Sequence, residues 1–154
     1  MEEVFNALPP RWQSVLEKTS ILDRLSEPLC KAVAGVVGDN QNYIKDFEEN
    51  NLFLLPLDEE GVWFRYHHLF RDFLFSELTK KEKTEIPRLH RSASEWLAEN
   101  GLLREAAGHA FSSVDWEYAA GFVEKHSFEM ILHSEIAALS DWCSRFPEEM
   151  YEKH

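Results

Sequence analysis

Residues 62–74, Val62-Trp63-Phe64-Arg65-Tyr66-His67-His68-Leu69-Phe70-Arg71-Asp72-Phe73-Leu74, change hydrophobic rhythm from strand-like to helical at two adjacent histidines. Before them, Leu52-Phe53-Leu54-Leu55-Pro56-Leu57 and Val62–Tyr66 are rich in β-formers and flank the turn Asp58-Glu59-Glu60-Gly61, which predicts a two-stranded hairpin. After them, Tyr66, Leu69, Phe70, Phe73, Leu74 and Leu78 recur with the spacing of a helix buried along one stripe. At about 100° per residue, His67 falls on the edge of that stripe and His68 points toward the polar face. The two histidines are therefore expected to have different roles.

Working outward toward the N-terminus, Leu8-Pro9-Pro10-Arg11-Trp12 places proline at a helix start, with Trp12, Val15 and Leu16 on one face. Ser26-Glu27-Pro28-Leu29 opens a second helix with Ser26 as N-cap, interrupted at Gly35 and Gly38. Asp39-Asn40-Gln41-Asn42 offers caps for a third, whose apolar positions are Tyr43, Ile44 and Phe47 and which ends at Asn50-Asn51. Three short helices and a hairpin in this order match a winged helix-turn-helix. Its third helix carries Asp39, Asp46, Glu48 and Glu49 against Lys45, and its wing turn carries Asp58, Glu59 and Glu60. Both surfaces would repel phosphate, so no direct DNA binding is expected.

From Thr84 onward only helical patterns appear. Leu89, Ala93, Trp96 and Leu97 mark one helix ending at Asn100-Gly101, and Leu103, Ala106, Ala107, Ala110 and Phe111 mark the next. Asp115 caps a third with Trp116, Ala119, Ala120 and Val123 inward, and Ile136, Leu139, Trp142, Cys143 and Phe146 suggest a last one before Pro147. Small residues alternating with large ones suit stacked helical hairpins, as in a tetratricopeptide-like solenoid. The expected fold is mainly α: a winged helix-turn-helix with a two-stranded β-hairpin over residues 1–80, then antiparallel helical hairpins over 81–154.

The 154 residues, 44% of them hydrophobic, suffice for a packed core without staples. Cys30 and Cys143 form no ligand spacing, and neither a bilayer-spanning run nor a basic N-terminal leader is present, so a cytoplasmic setting is expected. The formal charge is −12. The stretch Lys80-Lys81-Glu82-Lys83-Thr84-Glu85-Ile86-Pro87-Arg88-Leu89-His90-Arg91 leans basic but interleaves acids, and reads as a solvated helical linker before it reads as an anion contact. The glycines form neither a GxxxxGK[ST] loop nor a GxGxxG turn, and GxSxG and HExxH are absent, so no enzyme is expected in this segment. His67 and His68, adjacent on a helix, are expected to diverge and not to share a metal. His126 and His133 lie two turns apart, too far for one ion, and His90 and His109 read as packing or surface residues.

Leu8-Pro9-Pro10, Thr19-Ser20-Ile21-Leu22-Asp23-Arg24-Leu25, Pro28-Leu29-Cys30, Asn51 through Asp58 and Tyr66-His67-His68-Leu69-Phe70-Arg71-Asp72 occur in an order that resembles the large ATP-dependent transcriptional activators of the MalT/LuxR type, a branch of the STAND signalling ATPases. The resemblance continues through Leu89-His90-Arg91, Ala93, Trp96 and Ala106-Ala107 to Asp115-Trp116 and Ala119-Ala120. It implies a winged helix and helical arm lying between an ATPase domain and a sensor, with a LuxR-type DNA-binding domain beyond. This chain would then be a regulatory fragment without a cofactor of its own, ATP or ADP being held by the full-length protein. Its partners would be the intramolecular ATPase and sensor domains, with self-association possible, and neither DNA nor membrane.

In such proteins a Met-His-Asp signature at a helix start places its histidine on the β-phosphate of ADP. Tyr66-His67-His68-Leu69 aligns with it, with Tyr66 for the methionine and His68 for the aspartate, which implies a nucleotide-contact role for His67. A packing role at the hairpin-helix junction stands beside it. The other readings are a stand-alone helical protein-interaction module and a DNA-binding winged helix.

Overall fold

The structure, a computed structural model, describes residues 1–36 and 40–151. Gly38 and Asp39, read above as part of the break before the third helix, and the terminal 152–154 lie outside the described residues. The described residues form two compact units, parted between Leu89 and His90.

The first unit runs α1 (Glu2–Asn6), α2 (Pro10–Thr19), α3 (Glu27–Ala34), α4 (Tyr43–Glu49), β1 (Leu54–Pro56), β2 (Phe64–Tyr66) and α5 (His68–Glu82). Local chemistry explains most of these boundaries. Pro10 stands in the first turn of α2, where its missing N–H costs nothing. The Ser26 hydroxyl accepts from Leu29 N–H at the start of α3, and Gly35 ends that helix at φ 73°, a left-handed conformation glycine adopts without strain. The Asn42 side chain accepts from Lys45 N–H at the start of α4.

The strands pair antiparallel with Leu54 opposite Tyr66 and Pro56 opposite Phe64. Phe64 turns its own N–H and C=O the other way, to Leu25 at 2.8 and 2.7 Å, so the segment before α3 forms a third edge on the hairpin. Helix α1 was not anticipated; a single turn carrying one buried residue, Phe5, is too short for periodicity to reveal.

The stripe expected to run from Tyr66 through the following helix is corrected in two places. Tyr66 belongs to β2, and Leu69, counted as buried, is 54% exposed. The helix begins only at His68, so the stripe starts at Phe70 and continues through Leu74 and Leu78, all fully buried.

The second unit contains the remainder of α6 (Ile86–Glu99), then α7 (Leu103–Ser112), α8 (Trp116–Leu132), α9 (Ile136–Ser144) and the short α10 (Glu148–Tyr151). Helix α8 packs against both α7 and α9. Ala106, Ala107 and Ala110 are completely or almost completely buried on α7, and Ala119 is buried on α8, the close approach that small side chains permit. The inward face expected for the last helix is corrected at two positions: Trp142 is buried, Leu139 is half-buried and Phe146, just past the helix, packs on Phe111 and Trp116, but Ile136 is 62% exposed and Cys143 is also exposed. Helix α10, beyond Pro147, was not expected.

Candidate functional site

Tyr66 fixes the last strand residue before the histidines. Its phenol lies 2.8 Å from the Thr19 hydroxyl in a buried hydrogen bond, and burial pushes its ionisation well above the usual tyrosine range. The phenol therefore stays neutral. Next along the chain, His67 N–H donates to Phe53 C=O at 2.8 Å, closing the hairpin end on the junction. Phe53 holds the left-handed φ of 59°, which is uncommon for an aromatic residue, and its ring packs on Phe70 at 5.1 Å.

His67 is the N-cap of α5. Its Nδ1 accepts from Leu69 N–H at 3.2 Å, and its carbonyl accepts from Arg71 N–H at 2.9 Å. An imidazole that accepts at Nδ1 is neutral and carries its proton on Nε2, so the cap fixes the tautomer. The Nε2–H of a half-buried ring at a helix start is a hydrogen-bond donor where the helix dipole already favours anions.

Two expectations about the pair are corrected. His67 stands at the cap rather than on the helical stripe, and the rings do not diverge. Their centroids are 4.4 Å apart with planes 27° from parallel, a stacked arrangement. The N-cap's extended backbone (φ −54°, ψ 137°) breaks the helical 100° step between the residues and brings the rings face to face. His68 is exposed, as its polar-face position suggested.

Arg71 anchors the same helix to the segment after α2. Its Nε donates to Ser20 C=O at 3.0 Å, and its Nη2 stands 3.5 Å from Asp23 Oδ1. Arg24 in that segment lies 3.8 Å over the Trp63 ring. The motifs Thr19–Leu25 and Tyr66–Asp72 are thus one spatial unit, although 47 residues separate Thr19 from Tyr66.

The helix-turn-helix face has a different electrostatic character. The Glu27 carboxylate, from the first turn of α3, accepts from Tyr43 N–H at 2.9 Å and Ile44 N–H at 2.8 Å. The N-terminus of α4 therefore already holds a negative group. In the wing turn the Asp58 carboxylate accepts from Val62 and Trp63 N–H, with Gly61 at φ 72° supplying the reversal. Sequence reasoning counted Asp58 as surface charge and gave Glu27 no role beyond its place at a helix start. The capping role of Glu27 depends on a contact 16 residues away that no local pattern announces.

Two further relationships escaped the sequence. His90 and His109 meet with Nδ1 atoms 2.9 Å apart, one ring donating and the other accepting. Lys81, placed in the solvated linker, instead reaches the nearly buried Glu17 at 2.6 Å. Among the described residues no cluster of three or more His, Cys, Asp or Glu side chains could hold a metal ion, and no helix is long and apolar enough to cross a membrane.

Residues 1–86 match the family described as the MalT winged helix domain. The chain is also 32% identical over 148 residues to the HTH-type transcriptional regulator MalT of Klebsiella pneumoniae, covering 96% of this chain and 16% of that protein. It is 32% identical over 149 residues to the serine/threonine-protein kinase PknK of Mycobacterium tuberculosis, covering 97% of this chain and 13% of the kinase. The chain thus spans less than one fifth of the length of these relatives.

Proposed function

The chain belongs to the family of MalT winged helix domains, and from that membership we propose that it is a regulatory module of a signal-responsive transcription regulator, relaying the nucleotide state of an ATPase domain to a sensor. In this reading His67 contacts the phosphates of the bound nucleotide. The observation that carries it is the cap geometry: Nδ1 is committed to Leu69 N–H, which leaves Nε2–H as the donor.

The residues present fit an ATP- or ADP-holding partner. A neutral imidazole donor at the start of a 15-residue helix suits a phosphate oxygen, and the bonds of His67 N–H to Phe53 and Arg71 to Ser20 keep that donor from drifting. A bound nucleotide would supply the energy difference between resting and active states. The module holds the latch rather than performing the hydrolysis, and is not itself an enzyme.

The helix-turn-helix serves as a bracket in this reading and does not read DNA. The carboxylate of Glu27 at the start of α4, with Glu48 and Glu49 exposed on that helix, supports this. Its partners are the intramolecular ATPase and sensor domains, in the cytoplasm.

The test replaces His67 with Ala in the longest natural protein carrying this segment and measures retained ADP together with transcription in the absence of inducer. Faster ADP loss and raised basal transcription are expected. Unchanged values for both would remove the nucleotide role and leave His67 as a cap alone.

A further inference from the structure

Helices α6 and α8 border an open groove of about 470 Å³ that lies wholly within the second unit. We propose that this groove is a docking site for an extended peptide segment bearing arginine or lysine. The proposal is independent of the nucleotide role of His67.

The floor comes from α8. Tyr118, Phe122 and His126 follow one another at steps of one turn, with the Phe122 and His126 rings 4.6 Å apart. Phe122 is buried between His126 and Trp142 and serves as the base of the ladder, while the half-buried Tyr118 ring offers a face that accepts a guanidinium or ammonium group as well as aliphatic stems. Burial pushes the Tyr118 phenol above its ordinary range, against a smaller opposing effect of its contact with Ser94, so the phenol stays protonated beside the groove.

Beside this ladder stands Gly121, in the interior of α8 and exposed. Glycine is the least favourable non-proline residue in a helix interior. A Cβ built there would meet nothing within 4 Å, so no neighbour in this chain requires its absence. What the glycine provides is bare backbone at the groove floor, the feature needed where another main chain lies close.

The walls select the sign of the occupant. Glu95 and Glu99 of α6 and Glu117 of α8 face the groove, opposed by Lys125. Burial first, and then the Lys125 charge, push the His126 ring toward its neutral form, so it adds no positive charge at pH 7. Three carboxylates against one ammonium favour a cationic side chain and repel nucleic acid or an acidic peptide.

The probe is a fluorescein-labelled peptide, acetyl-Ala-Arg-Ala-Arg-Ala-Arg-Ala-amide, with the same peptide carrying Glu in place of Arg as comparison, titrated with the 154-residue chain. Saturable binding of the arginine peptide alone is expected. Gly121→Leu, which fills the floor without changing charge and places a better helix former at an exposed position, should weaken binding about tenfold or more. The pair Glu95→Gln/Glu117→Gln should weaken it comparably, and Glu59→Gln/Glu60→Gln, an equal charge change in the wing turn, should leave it unchanged. The proposal is overturned by no saturation up to about 1 mM peptide, by equal weakening from both glutamine pairs, or by undiminished binding to the Gly121→Leu chain. Loss of self-association in Gly121→Leu without peptide binding also overturns it, since the occupant would then be a second copy.

Discussion

Lys81 Nζ lies 2.6 Å from the Glu17 carboxylate, joining the last turn of α5 to α2 through a glutamate only 5% exposed. Lys81 also stands 5.3 Å over the Phe5 ring, so one cation serves a buried acid and the face of an aromatic from α1. Gln13 completes this end of the unit by donating from Nε2 to the carbonyls of Phe5 and Leu8.

Lys81→Met should destabilise the first unit by about 1–2 kcal/mol. Stripping the partner from a fully buried pair costs about 3–5 kcal/mol, but the lysine is half exposed and water can replace part of its charge. Urea unfolding measures the loss, and adding Glu17→Gln should restore much of it. A loss below about 0.5 kcal/mol would place the bridge among ordinary surface pairs.

Asp115 does two jobs that substitution can separate. Its carboxylate accepts from Tyr118 N–H at 3.1 Å as the N-cap of α8 and meets Arg91 at 3.3 Å. Asp115→Ala should cost about 1–2 kcal/mol, whereas Asp115→Asn, which keeps a capping oxygen, should cost less than about 1 kcal/mol because both ends of the ion pair are well exposed. Thermal unfolding of the two variants checks the ranking, and an equal loss would assign the effect to the ion pair.

The two cysteines should react on different timescales. Cys30 is completely buried, and burial together with the Glu27 charge pushes its thiol far above the ordinary range. Cys143 is exposed. Ellman's reagent should modify one thiol per native chain promptly and the second only on unfolding; prompt modification of both would contradict the packing of α3.

His126 sets a pH dependence whose sign follows from its depressed folded value. Below the unfolded pKa of about 6.5 the unfolded chain binds more protons than the folded one at this site, so its contribution favours folding above that pH and fades as pH falls through it. Nuclear magnetic resonance titration should give His126 a midpoint below 6.5. His126→Gln should reduce the slope of stability against pH on the acid side of neutrality; an unchanged slope would assign that dependence to other groups.

Elements whose signals are local were legible in the sequence. Ser26, Asn42 and Asp115 cap the helices they precede, and Gly35 and Gly101 end theirs in left-handed conformations. The hairpin and the helix after it also follow from alternation and spacing. The position of His67 was readable to within one residue, but its cap geometry was not, because a histidine is not among the usual capping side chains and the boundary shifts which rings can meet. Nor could spacing reveal Glu27 at the start of α4 or the Thr19–Tyr66 bond, which exist only after distant segments pack.

The Glu27 carboxylate at the start of α4 is, in thermodynamic terms, a tethered competitor. A phosphate approaching Tyr43 and Ile44 N–H must displace a ligand whose effective concentration is set by a short protein segment rather than by solution. Adding lysines to α4 would attract a polyanion without vacating those donors. Converting this face to phosphate recognition would require removing Glu27, and with it the link between α3 and α4, so anion affinity and the integrity of the turn are bound to move in opposite directions.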